Sequence, residues 1–422
     1  MILYYEEIKR ELDEKLQRDM DNGRQIARTF FASLDYKEGD EKRYGDEQVA
    51  VLKYSKYQYH YAELDSIKGC LLGGAIGDAF GFPVEFFDDC EIFKRYGENG
   101  ITKLQLYNGV AHISDDTQMT LFTADGLLTA AKRFQNPTAD DYVRCVYESY
   151  LDWLHTQGYA EEKQTDRAHS ALLKVKELHC QRAPGRTCLL SLASGNCGTL
   201  TYKLNDSKGC GGLMRVAPVA LYLSQRQDVS PKDVVMIGAR TEAITHSHEL
   251  GYIPAAYLTA FLFYILRGES LSAAYLLAKQ RMENWFADKK GTKICLDLVK
   301  KAHDLAMYEP DEDEESMGEI DDLEVIRSLG QGWVAEETLA IAIYCAFKYQ
   351  NEFEKAMIAA ANHSGDSDST ASVTGSILGA YWGLSRLPKH MVEPIELKGL
   401  MIELAKKMHL HKFDYETEEE TE

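Results

Sequence analysis

Residues 68–79 read KGCLLGGAIGDA. The segment from Ile67 to Asp78 predicts a helix rich in Gly and Ala. Gly73 and Gly77 lie four positions apart on it, where the missing side chains let another helix approach closely. Ala371 to Leu384 repeats the device with Gly375 and Gly379. Helical patterns also cover Thr117 to Ala131, Ala139 to His155, Ile237 to Gly251, Ala255 to Arg267, Ala335 to Tyr349 and Asn351 to Ala361. Alternating strand patterns are scarce and the chain has only nine prolines, so the expected fold class is all-α.

Two of these helices are preceded by acidic stretches. One is Ser114-Asp115-Asp116-Thr117, the other Gly365-Asp366-Ser367-Asp368-Ser369-Thr370. Each is also a well-made helix cap, since exposed N–H groups and the helix dipole favour carboxylates there. The D-x-D spacing resembles the start of a calcium loop, but the later glycine and glutamate of such a loop are absent. Together the stretches offer Asp115, Asp116, Asp366 and Asp368. Clustered in a folded interior, these would repel one another unless cations neutralise them. Hard divalent ions prefer oxygen ligands, and two such ions roughly 3.5–4 Å apart form a recurrent hydrolytic device.

Three further elements carry chemistry. Ser207-Lys208-Gly209-Cys210-Gly211-Gly212-Leu213-Met214-Arg215 has a glycine run whose N–H groups can turn inward to bind phosphate oxygens. It also reads as a tight turn, with Arg215 either assisting or buried. Thr245-His246-Ser247-His248 is placed at the start or middle of a helix, and His246 is a candidate partner of a pyrophosphate or ribose. In Gly77-Asp78-Ala79-Phe80-Gly81-Phe82-Pro83-Val84-Glu85, Pro83 ends a helix and projects Glu85 from a loop, where a plain surface glutamate is the alternative.

The chain has 422 residues, 45% of them hydrophobic, and a net charge of −20. That field disfavours nucleic-acid partners. The charged start MILYYEEIKRELDEK does not resemble a signal peptide. The longest apolar run, Ala255 to Leu266, is short for a bilayer, so no membrane partner is expected. Nine cysteines lack metal-like spacing and read as thiols of a cytoplasmic protein. Residues 1–64 differ in texture. Tyr5, Ile8, Leu12 and Leu16 make an apolar stripe on a helical arm that covers its own core or touches another protein. Glu309 to Asp322 is acidic and expected to be a mobile loop. Residues 409–422 form an acidic tail.

The set of motifs resembles the ADP-ribosylglycohydrolase family. GCLLGGAIGDAFGFPVEF, ISDDTQMTLFTADGLL, SKGCGGLMRVAPVAL, THSHELGY, LGQGWVAEETLAIAIYC and NHSGDSDSTASVTGSILGAYWG occur in the family's order between Ile67 and Leu387. The resemblance implies a compact orthogonal multi-helix domain over 65–408 with a central dinuclear magnesium or manganese centre. Its metal ligands would be Ser114, Asp115, Asp116, Asp366, Asp368 and Ser369. Ser207, Gly209, Cys210, Gly211 and Gly212 match the diphosphate loop, and His246 matches a histidine near the distal ligand. Glu85 falls where some relatives carry a glutamate at the metal-site entrance.

The implied reaction is removal of ADP-ribose from a modified protein side chain. The GDSDS form resembles arginine-directed members, whereas threonine in place of Ser369 is commoner in members acting on other linkages. Asp115, Asp116, Asp368 and Glu85 are the expected catalytic residues. Residues 1–64 have no counterpart in minimal members. They resemble the extension of bacterial members that protect against ADP-ribosyltransferase toxins, so an immunity protein that neutralises such a toxin is the alternative.

Overall fold

A computed structural model describes residues 62–159, 169–226, 229–308 and 321–409. The readings of residues 1–64 as a partner-binding arm and 409–422 as a tail therefore lie outside the described residues, apart from 62–64 and His409. Among the described residues there is no strand, only isolated bridges. The helices are α1 (Leu64–Gly81), α2 (Asp89–Tyr96), α3 (Asp115–Arg133), α4 (Ala139–Thr156), α5 (Arg186–Ala193), α6 (Ala217–Leu223), α7 (Pro231–Ala243) and α8 (Glu249–Leu266). They continue as α9 (Leu271–Trp285), α10 (Lys290–Ala306), α11 (Asp322–Leu329), α12 (Ala335–Lys348), α13 (Phe353–Ala361), α14 (Ser367–Trp382), α15 (Lys389–Val392) and α16 (Lys398–Met408).

The two glycine-bearing helices pack on each other. A Cβ added to Gly375 would lie 2.0 Å from the carbonyl oxygen of Gly73, and one on Gly379 2.0 Å from that of Gly69. Further along, Gly77 meets the backbone of Ala371 and Gly81 that of Ser367. This seam of α1 and α14 is therefore backbone against backbone at Gly69, Gly73, Gly77 and Gly81, with the Ser376 side chain set against Gly74. Its far end delivers the last turn of α1 and the first turn of α14 to the same place.

α8 is buried at every residue from Leu250 to Leu266. It is long and apolar enough to cross a bilayer by length and composition, but 94% of that span lies inside the protein. It is the central core helix, packed by α7, α9 and α6. The sequence pattern stops one helix at Gly251 and restarts at Ala255. The helix instead runs through Pro254 in its second turn, where the missing N–H takes one bond from the Leu250 carbonyl without ending the helix.

The expected helix from Ile237 to Gly251 is broken. α7 ends at Ala243 and α8 begins at Glu249. Between them, polar side chains take the backbone into other bonds. Ser247 Oγ accepts the Leu204 N–H at 3.1 Å, and His248 Nδ1 accepts the Leu250 N–H at 3.0 Å as the cap of α8. Thr245-His246-Ser247-His248 is thus an interhelical corner. Asp322 also departs from expectation. It opens α11 rather than ending a loop, and accepts from Tyr344 and Tyr349, each at 2.6 Å, and from Lys348 at 2.7 Å.

Candidate functional site

Ser114 caps α3, its Oγ accepting the Asp116 N–H at 3.2 Å. Asp115 and Asp116 follow in the first turn, both buried. The cap is fixed from outside by Asp78 of α1, a residue to which the sequence reading gave no role. Its carboxylate accepts the Ser114 N–H at 2.9 Å and the Thr117 N–H at 3.0 Å. Burial raises the Asp78 carboxyl to about 6, partly opposed by those bonds. The signal was available, because an aspartate inside a Gly/Ala helix has to find donors when it is buried.

Asp366 caps α14 and accepts the Ser369 N–H at 3.3 Å. Its own N–H donates to the Gln331 carbonyl at 2.8 Å. The preceding Gly365 has φ +131, and a Cβ there would sit 2.0 Å from the Gln331 oxygen, so this turn requires glycine. Asp368 and Ser369 occupy the first turn of α14 and are buried.

A short turn after α1 brings Glu85 in. It is 7% exposed, so it is not the surface glutamate of the alternative reading. Carboxylate oxygens of Glu85, Asp366 and Asp368 lie within 4.8 Å of one another. Burial, then Asp366, Asp115 and Asp78, push Glu85 up to about 9. Burial raises Asp115 to about 8, with Asp78 and Asp366 adding to it. Asp116 is pushed well above the carboxylate range by burial and by Asp78, Asp115, Asp366 and Glu85. Asp368 is raised by burial and by Asp116, Glu85 and Asp366. The two acidic stretches thus converge on one another.

Glu85 Oε2 and Asp116 Oδ2 are buried without a hydrogen-bond partner. Orphaned carboxylate oxygens in a cluster of like charge, with an all-oxygen donor set completed by Ser114 and Ser369, fit hard divalent cations.

The glycine loop borders this cluster. Cys210, Gly211 and Gly212 form one 3₁₀ turn. Two of the N–H groups expected to face a ligand are turned back on the protein. That of Gly209 reaches Ser207 Oγ at 3.3 Å, and that of Cys210 reaches the Trp333 carbonyl at 3.3 Å. The Cys210 thiol donates to Asp366 at 2.6 Å. Lys208 pairs with the buried Glu336.

His246 is buried behind the loop, its ring facing Gly209 and Gly211. Burial, with Arg215 adding to it, lowers it to about 3, so it is a neutral imidazole, with Nδ1 2.9 Å from Thr245 Oγ1. Arg215 is fully buried, donating to Thr245 Oγ1 at 2.6 Å and lying over the Tyr150 ring. Its role is structural.

An ADP-ribosylglycohydrolase family model matches residues 60–418. The ADP-ribosylhydrolase ARH3 of Homo sapiens is 26% identical, over 79% of this chain and 90% of its own. The ADP-ribosyl-[dinitrogen reductase] glycohydrolase of Rhodospirillum rubrum is 27% identical, over 79% and 91%. The ADP-ribosylarginine hydrolase Tri1 of Pseudomonas putida is 24% identical, over 79% and 74%. A solved structure, an ADP-ribosylglycohydrolase-related protein complex, shares the fold with a TM-score of 0.52 at 23% identity, covering 82% of this chain and 97% of that one. The buried acid cluster thus sits in a helical chain that belongs to the ADP-ribosylglycohydrolase family.

Proposed function

We propose that the protein is a divalent-metal-dependent hydrolase that removes ADP-ribose from modified arginine side chains of proteins. Family membership supports ADP-ribose removal. The observation that carries the catalytic reading is the convergence of Glu85, Asp366 and Asp368 opposite Asp115 and Asp116. The arginine linkage is supported by the name of the Pseudomonas relative and by serine at position 369.

Ser114, Asp115, Asp116, Asp366, Asp368 and Ser369 would hold two magnesium or manganese ions. When bound, such ions grip hydroxyls and make water a better nucleophile near neutral pH. Asp116 and Asp368 then orient the water and the ribose. Glu85 stands at the edge of the cluster, placed to carry a proton to the departing nitrogen as the anomeric carbon gains positive charge. The loop from Ser207 to Gly212, backed by neutral His246, anchors the diphosphate and keeps the anomeric carbon in place. Nine free thiols support a reducing compartment, the cytoplasm.

The test is release of ADP-ribose from an arginine-modified protein by the wild type, by Asp368→Asn, and by the wild type with chelator. Release is expected only from the wild type with metal. Full activity in the variant, or under chelation, would refute the site.

A further inference from the structure

Phe86 and Trp333 stack on each other, with ring centroids 5.8 Å apart and planes 20° apart. Both face water, at 69% and 38% exposure. They come from distant parts of the chain and meet at the edge of the acid cluster. Phe86 directly follows Glu85. The carbonyl of Trp333 accepts the N–H of Cys210, whose thiol reaches Asp366. Its neighbour Gly332 is so close to Asp366 that an added Cβ would lie 3.4 Å from the aspartate Cβ.

The Trp333 loop is also held in place. Glu337 accepts the N–H groups of Gln331 and Gly332, at 2.9 and 3.2 Å. Thr338 Oγ1 donates to the Gly332 carbonyl at 2.6 Å. Two large rings, kept together in water beside a buried polar site on a pinned loop, contribute little to the core. They form a preordered apolar surface just outside the carboxylates.

We infer that the Phe86–Trp333 pair is the platform on which the modified side chain of the protein substrate lies, and that it selects a planar cation, the guanidinium of arginine. The inference rests on the hydrolase reading of the adjoining cluster. If the carboxylates and their ions hold the ribose, the group leaving the anomeric carbon is the next one outward, where the two rings stand. A guanidinium is planar, permanently charged and weakly hydrated, and it stacks on aromatic faces. A serine linkage presents one methylene and no charge. The net charge of −20 further favours an incoming cation.

The experiment uses one peptide sequence ADP-ribosylated either on arginine or on serine, with wild type, Phe86→Ala, Trp333→Ala and Trp333→Phe in magnesium buffer. For the arginine peptide, KM is expected to rise roughly threefold to thirtyfold in both alanine variants, while kcat and the Trp333→Phe variant stay within about twofold of wild type. kcat/KM on the serine peptide and the affinity for free ADP-ribose are expected to be unchanged. An unchanged arginine KM overturns the platform. So does equal loss on both linkages, which a merely structural role would give, and so does a wild type that cleaves only the serine peptide.

A second readout needs no turnover. Arginine methyl ester is titrated while the indole N–H resonance of Trp333 is followed. A saturable shift that Phe86→Ala abolishes supports the platform even in a protein that hydrolyses neither peptide, a result that sinks the hydrolase reading alone. No shift overturns the platform.

Discussion

The thiol of Cys210 donates to Oδ2 of Asp366 at 2.6 Å, joining the glycine loop to the acid cluster. Ser369 Oγ lies 3.6 Å from the same sulfur. One atom therefore touches both the second acidic stretch and the loop assigned to the diphosphate.

Cys210→Ala removes that donor from Asp366. It is expected to weaken manganese binding about tenfold, as loss of a hydrogen bond to a ligating carboxylate does, with Cys210→Ser within about threefold of wild type. Isothermal titration checks this. Equal affinity in all three proteins would remove Cys210 from any part in the metal site.

Acidity should act on the chelated protein in a direction opposite to ordinary acid unfolding. Burial foremost, then Asp366, Asp115 and Asp78, raise Glu85 from 4.5 to about 9. Asp115 rises to about 8, and Asp116 and Asp368 shift the same way. Each binds its proton more tightly in the folded chain. The resulting stability is complete below the unfolded carboxyl pKa and is lost as pH rises through the folded values. Between about pH 6.5 and 8, stability to urea with chelator is expected to fall at up to about 1.4 kcal/mol per pH unit for each proton by which the states differ. Magnesium should restore more at pH 8 than at 6.5. A flat urea midpoint across that window would contradict the convergence of the acids.

The glycine seam makes a sharper mutational contrast. Gly375→Ala drives a methyl to 2.0 Å from the Gly73 oxygen. Both neighbours are backbone and cannot swing away, so a loss of about 4 kcal/mol or more, or failure to fold, is expected. Gly399, in α16, has nothing within 4 Å of its would-be Cβ. Gly399→Ala is expected to be neutral or to stabilise by up to about 1 kcal/mol. Urea midpoints for the two variants measure the difference.

Behind Asp115 lies a half-buried ion pair. Arg182 donates to both oxygens of Glu396, each at 3.1 Å, and to the Ile113 carbonyl at 2.9 Å. Its own carbonyl accepts the Asp115 N–H at 3.0 Å. Glu396→Ala leaves a half-buried guanidinium without its carboxylate and is expected to cost about 1–2 kcal/mol, and to lower kcat by loosening Asp115. Arg182→Met in the same chain should recover part of the stability. Additive losses in the double variant would show that the two residues are not coupled.

Much of this was legible in the sequence because its signals were local. The pairs at Gly73 and Gly77 and at Gly375 and Gly379 announced close helix contact, though not that they contact each other. Ser114 and Asp366 are caps as well as neighbours of the cluster, so the cap reading holds and does not exclude the metal reading. What stayed hidden depended on tertiary partners. Asp78 matters because Ser114 and Thr117 point N–H groups at it. Glu85 is buried by elements remote in sequence. The corner at Thr245–His248 follows a helical period, and only bonds to Leu204 and Leu250 reveal the break. Asp322 was grouped with an acidic run by composition, whereas Tyr344, Lys348 and Tyr349 claim its oxygens.

The α1–α14 seam also governs how the site answers to charge. Each helix end carries acids, and the glycine contacts leave little side-chain bulk between the two backbones to let those ends splay. Repulsion then has two outlets, protons or cations, and taking up one expels the other. Metal uptake by the folded chain should therefore acidify an unbuffered solution, by more protons per ion below about pH 8 than above it. Two glycine-lined backbones thus set an exchange stoichiometry that a pH electrode can count.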